Sequence, residues 1–326
     1  MVEIPEFRKL INFGKTSYVI SLPKNWIKRN RLKKGDIITV EKISNKLMLI
    51  PGTFKDKKRR LEIKIKVDGK SFREIRREII AYYINGYNTI SLYGETISKL
   101  STQIKSKIVT LLMGIEIIEE SANKLVLKDF IAPGQINVLE LLRKIDMIIR
   151  ELFNDAKEFL NVPRVSVENI YFRDDEVNRL YFFLRRVFNA YLRNELQQKF
   201  SPIQIVTLLQ IAGTMEKISD EIKRIAKYLN KVNRKKELLK SGFKQIYEEV
   251  ERFYLKIMKA LFVHNKELAF EATGKKEQLI TKANKLLEKL QNIHYAQSAL
   301  EKLKNVILLT NDIGRAISFD IHLENE

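Results

Sequence analysis

The sequence lacks cysteine altogether and is poor in several other residues that mark particular protein classes. Without cysteine, disulfides, thiolate metal sites and cysteine catalysis are excluded. Only 12 glycines and 6 prolines occur among 326 residues, which favours a globular, helix-rich chain over a disordered one. No apolar run approaches the ~20 residues of a membrane-spanning helix. The N-terminus also lacks the charged segment and apolar stretch of a signal peptide. We therefore expect a cytoplasmic protein without membrane insertion.

Acidic residues are scarce near the N-terminus, so the charge distribution is uneven. Residues 1–60 hold 16 Lys and Arg against 5 Asp and Glu, and this stretch carries +11 of the total net charge of +20. A concentrated basic excess is typical of proteins that bind nucleic-acid phosphates, whereas diffuse surface charge and a membrane-facing patch are the alternatives. Lysine outnumbers arginine here, which suits phosphate contacts better than bidentate base reading. The candidate DNA-binding residues are Arg8, Lys9, Lys15, Lys24, Lys28, Arg29 and Arg31.

Residues 8–51 are interpreted as a small β-rich module. The alternation of apolar residues predicts a strand at residues 17–22, and Pro23 then starts a short amphipathic helix. After a glycine-containing turn, residues 37–41 and 46–50 predict two further strands. About 45 residues cannot bury a sufficient core alone, so we expect a second copy of the chain to complete it.

Several residues of this module stand in an order and spacing that point to a known family. They are Gly14, Ser17, Tyr18, the block Ile20-Ser21-Leu22-Pro23-Lys24, Trp26 and the turn Leu32-Lys33-Lys34-Gly35-Asp36. The arrangement resembles the AbrB/SpoVT family of swapped-hairpin DNA-binding domains. In that family two chains interleave hairpins into one dimeric barrel whose basic face lies on DNA. The resemblance implies that residues 1–52 are a dimeric DNA-binding domain.

Residues 61–130 predict a small two-layer α/β domain. A period of two from residue 61 to residue 67 indicates a half-buried strand, and Ser71 with Glu74 forms a capping box at the start of a helix. The remaining pattern completes a β-α-β-α-β-β order. Because the stretch carries no catalytic triad, no metal-spaced histidine cluster and no glycine-rich phosphate loop, we interpret it as a connector. Binding of a small ligand is the alternative.

From residue 136 to residue 326 the pattern is continuously helical. The predicted helices cover residues 136–161, 165–199, 202–231, 242–270, 273–296 and 298–323. Breaks at about 30-residue intervals favour antiparallel bundles over a coiled-coil rod. We expect an all-α domain of two three-helix bundles, the first at about 136–232 and the second at about 242–326.

Each helix of the first bundle carries an acidic or amide pair at four-residue spacing. The pairs are Glu151 and Asp155, Asp174 and Asn178, and Glu216 and Asp220. This spacing places both members on one helix face beside the apolar stripe, and helix bundles build metal sites from such carboxylates. Oxygen ligands favour hard cations, so iron, Mn, Mg and Ca are the candidate metals. Solvated surface charge is the alternative for any single pair.

Two of these helices also contain segments that point to a second family. The segments are residues 173–181, RDDEVNRLY, and residues 215–222, MEKISDEI. They resemble the signature helices of PhoU, the phosphate-uptake regulator, which consists of two three-helix bundles and binds multinuclear metal clusters through Glu/Asp-x-x-x-Asp motifs. With an AbrB-like N-terminal domain before the PhoU-like domain, this chain is similar to archaeal phosphate-uptake regulators. Asn178 departs from the pattern because the family has aspartate there, which removes one anionic ligand.

Taken together, these features predict a dimeric DNA-binding transcriptional regulator of phosphate uptake with a metal-binding PhoU-like sensor or partner domain. The expected partners are DNA, a second copy of the chain, and phosphate-transport or signalling proteins. One alternative is an architectural DNA-binding protein without ligand response, and another is a carboxylate-metal enzyme. Ferritin-like metal chemistry uses Glu-x-x-His pairs, whereas His264, His294 and His322 all lie in the predicted second bundle. We therefore predict that the protein is not an enzyme.

Overall fold

The chain forms two compact units, Met1–Arg59 and Arg60–Glu326. Both are seen in a computed structural model. It describes residues 6–43, 46–52, 61–131, 133–161, 166–193, 195–196 and 199–319.

The first unit contains two antiparallel hairpins and one short helix. Strand β1 (Ile11–Phe13) pairs with β2 (Ser17–Val19) across a turn at Gly14, whose φ of +74° lies in the left-handed region that glycine adopts without strain. The predicted strand at residues 17–22 is shorter than expected, since β1 offers only three residues to its ladder. The other elements are α1 (Lys24–Arg29), β3 (Ile38–Ile43) and β4 (Lys46–Pro51), of which β3 and β4 pair with each other.

The second unit begins with an α/β layer whose element order is the predicted one. Its elements are β5 (Glu62–Lys66), α2 (Phe72–Ile84), β6 (Thr89–Tyr93), α3 (Ile97–Lys107), β7 (Ile115–Glu120) and β8 (Lys124–Asp129). The strands lie in the order β5-β6-β8-β7, with β5 and β6 parallel and the other pairs antiparallel. The capping box is confirmed, because Ser71 Oγ accepts from the Glu74 amide at 3.3 Å and the Glu74 carboxylate accepts from the Ser71 amide at 2.8 Å.

Long helices make up the rest of the unit. They are α4 (Val138–Asn161), α5 (Glu168–Leu192), α6 (Pro202–Lys231), α7 (Lys235–Ser241), α8 (Phe243–Phe262), α9 (Lys266–Thr273), α10 (Lys276–Lys289) and α11 (Ala296–Phe319). Helices α4, α5 and α6 pack together as the first bundle, and α8 to α11 form the second. Because α6 also packs along α11, the two bundles share one apolar core.

Three predicted helices have clearly different bounds in the structure, and the one predicted at residues 273–296 covers only Lys276–Lys289. The helix predicted at residues 165–199 ends at Leu192, since the polar stretch that follows has no apolar stripe to bury. The helix predicted at residues 242–270 is divided into α8 and α9. His264, with φ of +51°, breaks the helical path, and the Asn265 side chain accepts from the Leu268 amide at 2.7 Å to cap α9. Among the residues that the structure describes, no helix combines the length and apolar character needed to cross a bilayer.

A buried arginine on α5 holds the α/β layer against the helices. The Arg186 guanidinium donates to the carboxylate of Asp129 at the end of β8 and to the backbone carbonyl of Tyr83 on α2. It also donates to the Tyr87 carbonyl at 3.2 Å and lies 4.9 Å from the centre of the Tyr83 ring. The side chains of Arg186 and Asp129 are only 3% and 1% exposed. The layer is therefore part of the same compact unit as the bundles.

The substitution Arg186→Met should destabilise the second unit strongly. It would leave the Asp129 carboxylate buried without a counter-charge, and breaking a buried pair in this way costs about 3–5 kcal/mol of unfolding free energy. Burial already raises the pKa of Asp129 against the opposing effect of Arg186. A raised carboxyl pKa favours the folded state below it, so the loss should be smaller at about pH 4 than at about pH 8. Denaturant unfolding at both pH values measures it.

The matched control is Arg185→Met, one position earlier on α5. Arg185 is half-buried and lies 5.8 Å from the Tyr181 ring centre, so its loss should cost less than about 1 kcal/mol. Equal losses in the two variants would show that Arg186 has no special role in docking the layer.

Candidate functional site

The six predicted metal ligands come from the three helices of the first bundle, but they form two groups. Helix α4 carries Glu151 and Asp155, α5 carries Asp174 and Asn178, and α6 carries Glu216 and Asp220. The α4 pair lies beside an arginine of α5. In the other group the three carboxylates interact with a lysine of α6, and Asn178 contacts Asp174. Each group therefore contains a protein cation.

In the first group, Arg173 bridges α5 to the carboxylates of α4. Its Nε donates to Asp155 Oδ2 at 2.7 Å, and its Nη2 lies 3.9 Å from Glu151 Oε2. The Asp155 side chain is largely buried, while that of Glu151 is half exposed. The geometry thus gives Asp155 a close cationic partner and Glu151 a distant one.

In the second group, Asp174 is buried and both of its oxygens accept hydrogen bonds. Asp174 Oδ1 accepts from Ser219 Oγ at 2.8 Å, and Oδ2 accepts from Lys223 Nζ at 2.6 Å. Asn178 adds a longer contact, since its Nδ2 donates to Asp174 Oδ2 at 3.4 Å. The carboxylate is therefore fully satisfied by neighbouring side chains of α5 and α6.

Lys223 also pairs with the second carboxylate of this group. Its Nζ lies 2.8 Å from Asp220 Oδ1, and Arg224 Nη2 lies 2.5 Å from Asp220 Oδ2. Burial lowers the pKa of Lys223, but its hydrogen bonds to Asp174 and Asp220 raise the pKa by more, so it lies above the ordinary lysine value. Lys223 is therefore an ammonium ion at neutral pH.

Glu216 also belongs to this group. Burial raises the pKa of Glu216, and the charges of Asp220 and Asp174 raise it further.

This arrangement does not fit the predicted metal site. In the part of the chain that the structure describes, no three Asp, Glu, His or Cys side chains are placed to hold a metal ion. Oxygens of Asp155, Asp174 and Asp220 already accept from protein cations, and an ammonium group has no lone pair to offer a metal. Of the histidines, His264 and His294 lie in the second bundle, and His322 lies outside the described residues.

Sequence reasoning missed the residues that complete these groups. Lys223 and Arg224 follow Asp220 at three and four positions, the spacing at which oppositely charged helix residues meet. That spacing was a usable signal for pairing within α6. No comparable signal showed that Lys223 and Ser219 would reach Asp174 on another helix, since that contact depends on how α5 and α6 pack.

A cleft of about 380 Å³ lies beside the second group, between α6 and α11. Its lining combines carboxylates, cations and apolar side chains, namely Glu216, Lys217, Asp220, Glu221, Arg224, Asn305, Leu308 and Leu309. Charges of both signs therefore face this space, and they select no single class of ligand.

The predicted DNA-binding residues lie on the surface of the first unit. All seven are exposed, and they precede β1, occupy the β1–β2 turn, or lie on and just after α1. Lys24 and Lys28 are separated by one helical turn, so they share a face of α1. Arg8 forms an ion pair with Glu6. All seven cations are thus accessible for contact with phosphates.

The first unit also exposes most of its apolar side chains. Among residues 6–40, 42 and 46–52 of this unit, whose side-chain burial is described, only Ile50 is buried. Phe13, Val40 and Leu47 are 68%, 56% and 69% exposed. Such a surface is unusual for an isolated domain and marks an interaction face.

Two parts of this architecture match family models, while the helices from α7 to α11 lie outside both matches. Residues 142–229 match the PhoU domain, and residues 13–59 match the family described as "Antidote-toxin recognition MazE, bacterial antitoxin". The chain joins a MazE/AbrB-type domain to a PhoU domain. This confirms the predicted fusion, and the PhoU match covers nearly all of α4, α5 and α6.

The MazE/AbrB-type domain points to DNA-binding regulation and the PhoU domain to phosphate homeostasis. Both are regulatory domain types rather than known enzyme families. Searches of curated proteins and of solved structures returned no significant match to the chain.

The substitution Asp174→Asn should destabilise the first bundle. The amide cannot form a charged pair with Lys223, so we expect a loss of about 2–3 kcal/mol in unfolding free energy. Asp175→Asn, at the next and exposed position of α5, is the matched control. Burial and the charge of Asp174 raise the pKa of Asp175, so loss of its charge should not lower the stability. Urea unfolding followed by circular dichroism measures both, and similar losses would contradict the role assigned to Asp174.

Proposed function

We propose that this protein is a dimeric DNA-binding transcriptional regulator of phosphate uptake. The proposal is carried by the presence, in one chain, of a basic MazE/AbrB-type domain and a PhoU domain. The first domain supplies the means of binding DNA, and the second supplies the link to phosphate. Expected further partners are phosphate-transport or signalling proteins, which the PhoU domain would contact.

Charge supports DNA binding by the first unit. The basic excess of residues 1–60 coincides with the matched domain, and its seven candidate side chains are all exposed. Lysines neutralise DNA phosphates and release counterions, so affinity for DNA should fall steeply with salt. Of the candidates, Lys24 and Lys28 give the sharpest test, since both belong to one face of α1.

Apolar exposure supports a dimer formed through the same unit. The residues that we propose for the dimer core are Ile20, Leu22, Trp26, Ile38 and Val40. Ile20 and Val40 are exposed in the single chain, and the other three are partly exposed. A second copy would cover this surface by the same apolar burial that stabilises a domain core. The short hairpins would then belong to one shared barrel.

The PhoU domain is proposed to sense a state or a partner rather than to catalyse a reaction. A regulator and an architectural DNA-binding protein differ in whether DNA binding responds to that state. Selection of bound genomic fragments, from cells grown with scarce and with abundant phosphate, separates the two. Enrichment that changes with phosphate supply supports the regulator, whereas unchanged and sequence-independent binding supports the architectural alternative.

Replacing Lys24 and Lys28 together with glutamine should weaken binding to duplexes of any sequence. A dimer would lose up to four phosphate contacts, two from each chain, so the slope of log affinity against log salt should fall by about 2–4. Fluorescence anisotropy across a salt series measures both quantities. The matched control replaces Lys99 and Lys107, two exposed lysines of α3, with glutamine and should leave both unchanged. Unaltered affinity and slope in the first variant would remove α1 from the DNA-binding face.

The full chain should sediment as a dimer, and Val40→Asp should shift it toward monomer and weaken DNA binding. A charge in the middle of an apolar interface is costly, so the association constant should fall by at least about tenfold. Phe270→Asp, at an exposed apolar position on α9, is the control and should have no effect. A monomeric wild-type chain in analytical ultracentrifugation would contradict a dimer built on this unit.

A further inference from the structure

The acidic site between α5 and α6 contains its own positive charge. Lys223 Nζ lies 2.6 Å from Asp174 Oδ2 and 2.8 Å from Asp220 Oδ1, so one ammonium group joins carboxylates of two helices. A bridging metal ion in a helix bundle makes the same kind of connection between carboxylates of facing helices. Lys223 therefore neutralises the carboxylates that the sequence pattern predicted to bind a metal ion.

We propose that Lys223 replaces a metal ion in this site and that the PhoU domain of this protein keeps its structure without bound metal. The inference concerns the helical unit alone and stands whether or not the protein binds DNA.

The surroundings of Lys223 agree with such a replacement. Ser219 donates to the remaining oxygen of Asp174, and Arg224 lies against the remaining oxygen of Asp220. Asn178 contributes an amide donor to Asp174 in place of a further carboxylate, which lowers the negative charge that would hold a metal. A divalent cation would have to displace these donors and approach the ammonium group of Lys223.

The α4 side of the predicted site is neutralised in the same manner. Arg173 Nε donates to Asp155 at 2.7 Å, so the best-buried carboxylate of that group also accepts from a protein cation. Guanidinium groups remain charged at all physiological pH values. Both halves of the predicted ligand set thus carry built-in counter-charges, one from α5 and one from α6.

The test compares the thermal stability of the purified full chain in excess EDTA and in excess Mn²⁺. The wild-type Tm should agree between the two conditions to within about 1 °C, because no ion binds to the folded state. Lys223→Met should lower the Tm in EDTA by roughly 5–10 °C, since two carboxylates lose their shared cation. Added Mn²⁺ should restore at least half of that loss.

Two further variants keep the result interpretable. Lys227→Met removes an exposed lysine one turn further along α6 and should be insensitive to both EDTA and Mn²⁺. Lys223→Arg retains the positive charge and should stay independent of metal, which gives a folded variant at the same position. Elemental analysis of the purified wild-type chain should find no stoichiometric metal.

The proposal is overturned if the wild-type chain contains stoichiometric metal, or if EDTA lowers its Tm. It is also overturned if a folded Lys223→Met chain does not respond to Mn²⁺. Should Lys223→Met fail to fold, the comparison of the wild-type and Lys223→Arg chains in EDTA and Mn²⁺ still decides the matter.

Discussion

The buried contact between Arg186 and Asp129 is the interaction on which the architecture of the second unit depends. A charged pair inside an apolar core is tolerated only when the remaining donors also find acceptors. Arg186 meets this condition through the carbonyls of Tyr83 and Tyr87. These contacts join the α/β layer to the helices. A shift of α5 would therefore change the contacts that Arg186 makes with the layer.

Helix α5 connects this contact to the charged site of the first bundle. Its N-terminal half carries Arg173 and Asp174, and its C-terminal half carries Arg186 and Asn189, whose Nδ2 donates to the Ile84 carbonyl at 3.0 Å. The same helix thus pairs with α4 and α6 at one end and with the α/β layer at the other. A partner that displaced α5 would act on both contacts together.

The two units obtain their stability in different ways. The second has a continuous apolar core that includes residues of the layer and of both bundles. The first is short, and its strands leave most apolar side chains exposed, which is why we propose that a second copy of the chain completes it. This difference places the proposed dimer contact and the proposed DNA contact in the same small unit, where binding of a second chain and binding of DNA would be coupled.

The sequence by itself determined the elements and the two domain types. Periodicity, the Ser71–Glu74 capping box and the proline and glycine breaks depend on neighbours along the chain, so they predicted the α/β order and most helix starts. Only the tertiary structure decided which side chains the acidic residues of the first bundle contact. The sequence identified Asp174 and Asp220 as candidate metal ligands on two different helices. Only the packing of α5 on α6 placed Lys223 between them, because Lys223 and Asp174 are 49 positions apart in the chain. Charge pairing across helices is a tertiary property, and a one-dimensional pattern does not contain it.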